Sequence, residues 1–150
     1  MKAILSHIGA WAPMPEQKGL TKFLSQKEAI NNYLAHFKKE LEERLYRIYK
    51  GFTRLKEQGH PVEAVAPEAA IYLTIKVDLV GKRSPDGTIL KTQADVTSYL
   101  LQYASLAIVP FYAFGASKNS SWYRLSVGTC KKEEIDEMLE RLSAALKLLQ

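Results

Sequence analysis

The sequence predicts an α+β fold, an antiparallel or mixed sheet packed by helices and preceded by one long helix. Three features carry that expectation. An apolar series at helical spacing runs from Ile30 to Leu55, stretches rich in β-branched and aromatic residues read as strands at 70–80 and 122–127, and a second amphipathic series closes the chain at 131–149. Strands and helices in this order lack the regular strand–helix repeat of a parallel sheet, which leaves the α+β class.

Pro13 and Pro15 open a short helical stretch through about Leu24. Ser25-Gln26-Lys27-Glu28 then has the form of a capping box, with the serine accepting from the first turn and the glutamate reaching back. The helix that starts there carries Ile30, Tyr33, Leu34, Phe37, Leu41, Leu45, Ile48, Phe52 and Leu55 on one face, and Lys, Glu and Arg on the other. Gly59 is its expected C-terminal cap, with Pro61 beyond. At ~1.5 Å per residue such a helix is roughly 45 Å long, more than a compact domain of this size needs. A helix of that length spans something.

Ala70 to Val80 reads as a strand ending at Gly81, and Lys82 to Thr92, with Ser84-Pro85-Asp86-Gly87 inside it, as a polar excursion. A helix follows from about Asp95 to Tyr103, then a short strand at Leu106 to Val109 stopped by Pro110. After Phe111 to Gly115 and the polar turn Ser117 to Ser121, Trp122 to Val127 alternates as a strand. Ile135, Met138, Leu139, Leu142, Leu146 and Leu149 form the stripe of the last helix.

A chain of 150 residues, 47% hydrophobic, can bury a core without covalent staples. Its single cysteine, Cys130, excludes an internal disulfide and a cysteine-cluster metal site, so a cytoplasmic, reducing address is expected. The first fifteen residues lack a signal-peptide pattern, and no run reaches the ~20 apolar residues of a membrane helix. The net charge of +5 raises nucleic acid or anionic ligands without choosing between them.

His7, His36 and His60 share no zinc-site spacing with one another or with Cys130, so no metal is expected. Cys130 lies beside a helix start and two lysines, which would lower a thiol pKa, but no base accompanies it in sequence; a small residue near a cap is the simpler reading. No glycine-rich phosphate loop or nucleophile elbow occurs, so no autonomous catalytic site is visible. Arg124 stands out, placed in an apolar strand beside Trp122 and Tyr123. Its guanidinium could offer a fork of donors to a carboxylate or phosphate, or it could lie on an exposed face or pair with an internal acid.

Tyr103 to Pro110, then Phe114-Gly115, then Trp122-Tyr123-Arg124-Leu125-Ser126 resemble the ending of the class I/II aminotransferases of the fold-type-I pyridoxal-phosphate family. Pro67-Glu68-Ala69-Ala70-Ile71-Tyr72 is similar to that family's Pro-x-Gly-x-Phe-Tyr strand entry, and Ser6 to Pro13 to a segment following its cofactor-lysine region. The likeness covers nearly the whole chain. Two departures are Ala69 in place of glycine and Phe111 directly after Pro110 where the family has Pro-Gly, which bears on the shape of the substrate pocket.

The resemblance implies a small carboxy-terminal domain at 59–150, a long linker helix at 25–58 joining it to a large cofactor domain, and the tail of that domain at 1–24. It places Arg124 on the arginine that grips the substrate α-carboxylate, and Gly9, Ala10 and Trp11 at the dimer contact near the partner's active site. The family's chemistry needs a Schiff-base lysine, which the chain is expected to lack; Ser117-Lys118 has no following Gly-x-Arg-x-Gly. No catalytic residue is therefore expected here, and pyridoxal phosphate is expected in the complete enzyme but not on this fragment. The implied partners are the missing amino-terminal large domain, a second copy in a homodimer, and amino-acid and 2-oxo-acid substrates, with neither nucleic acid nor membrane. Two other readings are a ligand-sensing aminotransferase-like domain of a transcription regulator and a stand-alone basic helical binding module.

Overall fold

The computed structural model describes residues 3, 4, 7, 9 and 12–150. Contacts divide the chain into two units, 1–39 and 40–150.

In the first unit, helix α1 (Met14–Leu24) has a proline in its first turn, where the missing N–H leaves no bond unmade. Glu16 in the first turn and Lys22 in the last complement the helix dipole. Helix α2 (Lys27–Glu57) starts only two residues after α1 ends. That spacing changes the use of Ser25: its Oγ donates to the Lys22 carbonyl at 2.7 Å, closing α1, where a capping box with Glu28 was expected. The hydroxyl sits nearest the unsatisfied carbonyls of the helix it ends. Along the first part of α2 the apolar stripe is largely uncovered, with Tyr33 stacked on Phe37 at 5.9 Å and both rings exposed.

The second unit holds the core. From Glu40 onward α2 buries Leu41, Leu45, Ile48, Phe52 and Leu55. It ends as expected at Gly59 (φ 87°), where the Gly59 N–H donates to the Lys56 carbonyl and the His60 N–H to that of Leu55. This pair of bonds needs a left-handed residue between them, hence the glycine. There follow β1 (Val62–Ala64), β2 (Tyr72–Val77), α3 (Gln93–Ala104), β3 (Val109–Pro110), β4 (Trp122–Ser126) and α4 (Glu134–Lys147). The sheet has the order β1-β2-β4-β3 and is antiparallel throughout.

Alternation sorts the sheet's two faces. Leu73, Ile75, Val77, Tyr123 and Leu125 point into a core shared with α2, α3 and α4. Tyr72, Thr74, Lys76, Trp122, Arg124 and Ser126 occupy the other face. Gly51 lets α4 approach α2 closely, since a Cβ there would lie 2.3 Å from Leu139. Lys132 reinforces that contact by bridging Glu40 at 2.8 Å and Glu43 at 2.6 Å.

Several boundaries differ from the sequence expectation for local reasons. Helix α3 starts at Gln93 rather than Asp95 because Thr92 and Asp95 form the capping box, with the Asp95 N–H on Thr92 Oγ1 and the Thr92 N–H on Asp95 Oδ2. The bond from the Thr92 hydroxyl, with backbone N–H groups behind it, holds the Asp95 carboxyl below its ordinary pKa. The strand expected from Ala70 begins at Tyr72, since Ala70 adopts a left-handed conformation (φ 68°) that breaks the extended run. Pro110 joins β3 instead of stopping the strand before it, pairing with Tyr123 on an edge where its missing N–H is tolerated.

Candidate functional site

Arg124 stands at the middle of β4, opposite Thr74 of β2 on one side and Val109 of β3 on the other. Its guanidinium carbon lies 4.3 Å from the centre of the Tyr72 ring and 4.2 Å from that of Phe114. Tyr72 comes from the first position of β2. Phe114 comes from a single 3₁₀ turn, Phe111–Phe114, which Gly115 terminates at φ 91°. Each stacking contributes ~0.5–1 kcal/mol at sites as open as this. Among the described residues Arg124 has no ion-pair or hydrogen-bond partner, so the donors on its rim remain available.

The structure thus brings Arg124 together with two aromatic residues that sequence spacing had not connected to it as a site. In the sequence Tyr72 belongs to a strand entry and Phe114 to a Phe-Gly pair; only the strand order, which sets β2 and β3 on either side of β4, joins them. Ala10 and Trp11, expected with Gly9 at a subunit contact, lie outside the described residues. Gly9 is described and has a positive φ of 82°.

Behind Arg124, the neighbouring Tyr123 is fully buried and donates its phenol O–H to Gln93 Oε1 at the start of α3. Burial raises the Tyr123 pKa well above the usual phenol value, so it is a neutral donor at any physiological pH. Beside this pair opens a cleft of about 730 Å³, lined among others by Asp78, Lys91, Gln93, Tyr112, Lys118 and Asn119. Lys118 is exposed on a turn closed by the Ser120 N–H on the Ser117 carbonyl at 3.0 Å. Cys130 is half-buried, and burial, opposed by Arg44, pushes its thiol pKa up, which disfavours a reactive thiolate. No cluster of three potential metal ligands occurs among the described residues. No helix among them is long and apolar enough to cross a membrane.

Comparison with known proteins places the fold in a family. The family model for class I and II aminotransferases matches residues 3–142. Over 80 residues, 53% of this chain and 18% of the relative, the sequence is 40% identical to an aspartate aminotransferase of Rhizobium meliloti. It is 33% identical over 88 residues to a probable aspartate/prephenate aminotransferase of Rickettsia conorii, covering 58% of this chain and 21% of that protein. The crystal structure of an aspartate aminotransferase from Rhizobium meliloti superposes with a TM-score of 0.61 and 31% identity, over 77% of this chain and 26% of that one. The aspartate aminotransferase from Thermus thermophilus with maleate shares the fold, with a TM-score of 0.63 at 22% identity.

The chain belongs to the class I and II aminotransferase family. It spans about a fifth of the length of the curated relatives it matches.

The family implies pyridoxal phosphate as cofactor. The described residues of this chain do not assemble a cradle for it. Lys118 is an exposed turn residue, and the cleft beside it presents no buried acid to face a pyridine nitrogen, the buried polar side chains among the described residues being Ser84 and Gln93.

Proposed function

We propose that this chain is the carboxy-terminal part of a pyridoxal-phosphate-dependent aminotransferase that moves an amino group between an amino acid and a 2-oxo acid, and that Arg124 grips the substrate α-carboxylate. The observation that carries this reading is the Arg124 guanidinium, stacked on Tyr72 and Phe114 and without an acidic partner among the described residues. Stacking holds the planar group and leaves its rim for two parallel N–H bonds, a geometry that suits a carboxylate. Preorganised donors of this kind orient the substrate without reorganising on binding.

In this reading the Schiff-base lysine and the phosphate-binding groups belong to a large domain outside this chain, the linker helix is 25–58, and the small domain is 59–150. The complete enzyme is a cytoplasmic homodimer, with Gly9, Ala10 and Trp11 at the subunit contact. The names of the two relatives make aspartate the first substrate to assay.

The chain alone is expected to be inactive. Incubated with pyridoxal phosphate and reduced with borohydride, it should show only scattered, substoichiometric labelling of surface lysines, and no transfer from any amino acid. A stoichiometric adduct on one lysine, Lys118 above all, would contradict the assignment of the Schiff base to another part of the enzyme.

A further inference from the structure

The ring that covers Arg124 from the β3 side sits on a segment with little of its own to hold it. Residues 111–121 leave β3 and return into β4, and none of them is buried. Internal backbone bonds shape the two turns, from Ala116 N–H to the Phe111 carbonyl and from Ser120 N–H to that of Ser117. Ties from outside are few. At the strand end the Val77 N–H donates to the Ser121 carbonyl at 2.9 Å, and nearer the turn Gln93 Nε2 donates to the Asn119 carbonyl at a long 3.5 Å.

Gln93 is itself firmly placed. Its side chain is buried, at 4% exposure, and its Oε1 accepts from Tyr123, the residue immediately before Arg124. One amide therefore connects the strand that carries Arg124 to the turn that follows Phe114. That task needs an acceptor and a donor on one side chain, which leucine lacks entirely and glutamate lacks on the donor side.

We infer that Gln93 is a positioning residue: by linking Tyr123 to Asn119 it fixes the 111–121 segment so that Phe114 stays stacked on the Arg124 guanidinium. The inference rests on the proposed function only for what Arg124 grips. The placement of the guanidinium stands by itself.

The test is nuclear magnetic resonance on the 150-residue chain, reading the Arg124 δ and ε protons, which the currents of the Phe114 and Tyr72 rings displace. Gln93→Leu leaves the buried Tyr123 hydroxyl without a partner and lowers the melting temperature. Adding Tyr123→Phe removes that hydroxyl and restores much of the stability, because both partners are then apolar. The tie to Asn119 stays broken in the double variant, so the displacement of the Arg124 protons should fall about two-fold, as far as Phe114→Leu alone takes it. Recovery of the wild-type displacement together with the melting temperature would show a purely structural pair and overturn the inference. That outcome would leave the carboxylate grip standing, whereas full activity of an Arg124 variant would remove the grip and leave the placement.

Discussion

Arg124→Lys in the complete enzyme is expected to lower kcat/KM by about ten-fold to ten-thousand-fold, corresponding to one or two charge-assisted bonds of ~1.5–3 kcal/mol each. Lysine keeps the charge and loses the planar fork, so attraction survives while geometry does not. Arg124→Ala should lose at least as much. Both variants should fold, because the side chain lies on the open face of the sheet, is only partly buried and holds no ion pair among the described residues. Steady-state kinetics with aspartate, run beside thermal melts, separate the two effects. Near wild-type turnover in the lysine variant would remove Arg124 from substrate recognition, and a collapse of the melt would show that it acts through stability.

Phe52→Ala is expected to have the largest effect on stability, about 3–5 kcal/mol, from lost transfer energy and the cavity left among its neighbours. Phe52 is completely buried in the part of α2 that packs into the second unit, where Gly51 beside it admits Leu139. A loss of that size takes a large part of the ~5–15 kcal/mol that holds a domain together. Phe37, four turns earlier on the same stripe, is 38% exposed and belongs to the first unit. Its replacement by alanine should cost well under about 1 kcal/mol, within the range of surface substitutions. Urea unfolding of the two variants checks the contrast, and equal midpoint shifts would contradict the division of the helix into a packed and an uncovered part.

That contrast marks where the sequence was legible. Periodicity located α2 correctly, but it gave Phe37 and Phe52 the same standing, because a stripe records a face and not what covers it. The same limit applied to the sheet. Alternation at Trp122 to Ser126 sets Arg124 opposite to the core-facing Tyr123 and Leu125, whereas the three-residue β1 is too short to leave a pattern and the short strand expected at Leu106 to Val109 shrinks to Val109–Pro110. The capping box at Thr92 and Asp95 has the form Thr-x-x-Asp, a signal that a helix start at Asp95 passes over, whereas the one at Ser25 and Glu28 has the right letters in the wrong place, next to a helix end that claims the hydroxyl first. The aromatic company of Arg124 comes from residues 52 and ten positions before it, a juxtaposition only strand order provides. The Gln93–Tyr123 bond was hidden for a simpler reason: glutamine at the start of a helix usually faces solvent, and nothing local announced that this one is buried.

The most direct test of the central claim, that Arg124 is a carboxylate grip, is a titration of the 150-residue chain with maleate, a small planar dicarboxylate, followed by resonance shifts of the arginine side chains. With one clamp and no large domain the affinity should be no better than roughly millimolar, near 4 kcal/mol. The Arg124 Nε–H signal should move and saturate in that range, and Arg124→Lys should abolish the response. A titration that shifts Lys91 and Lys118 at the neighbouring cleft while Arg124 stays still would contradict it.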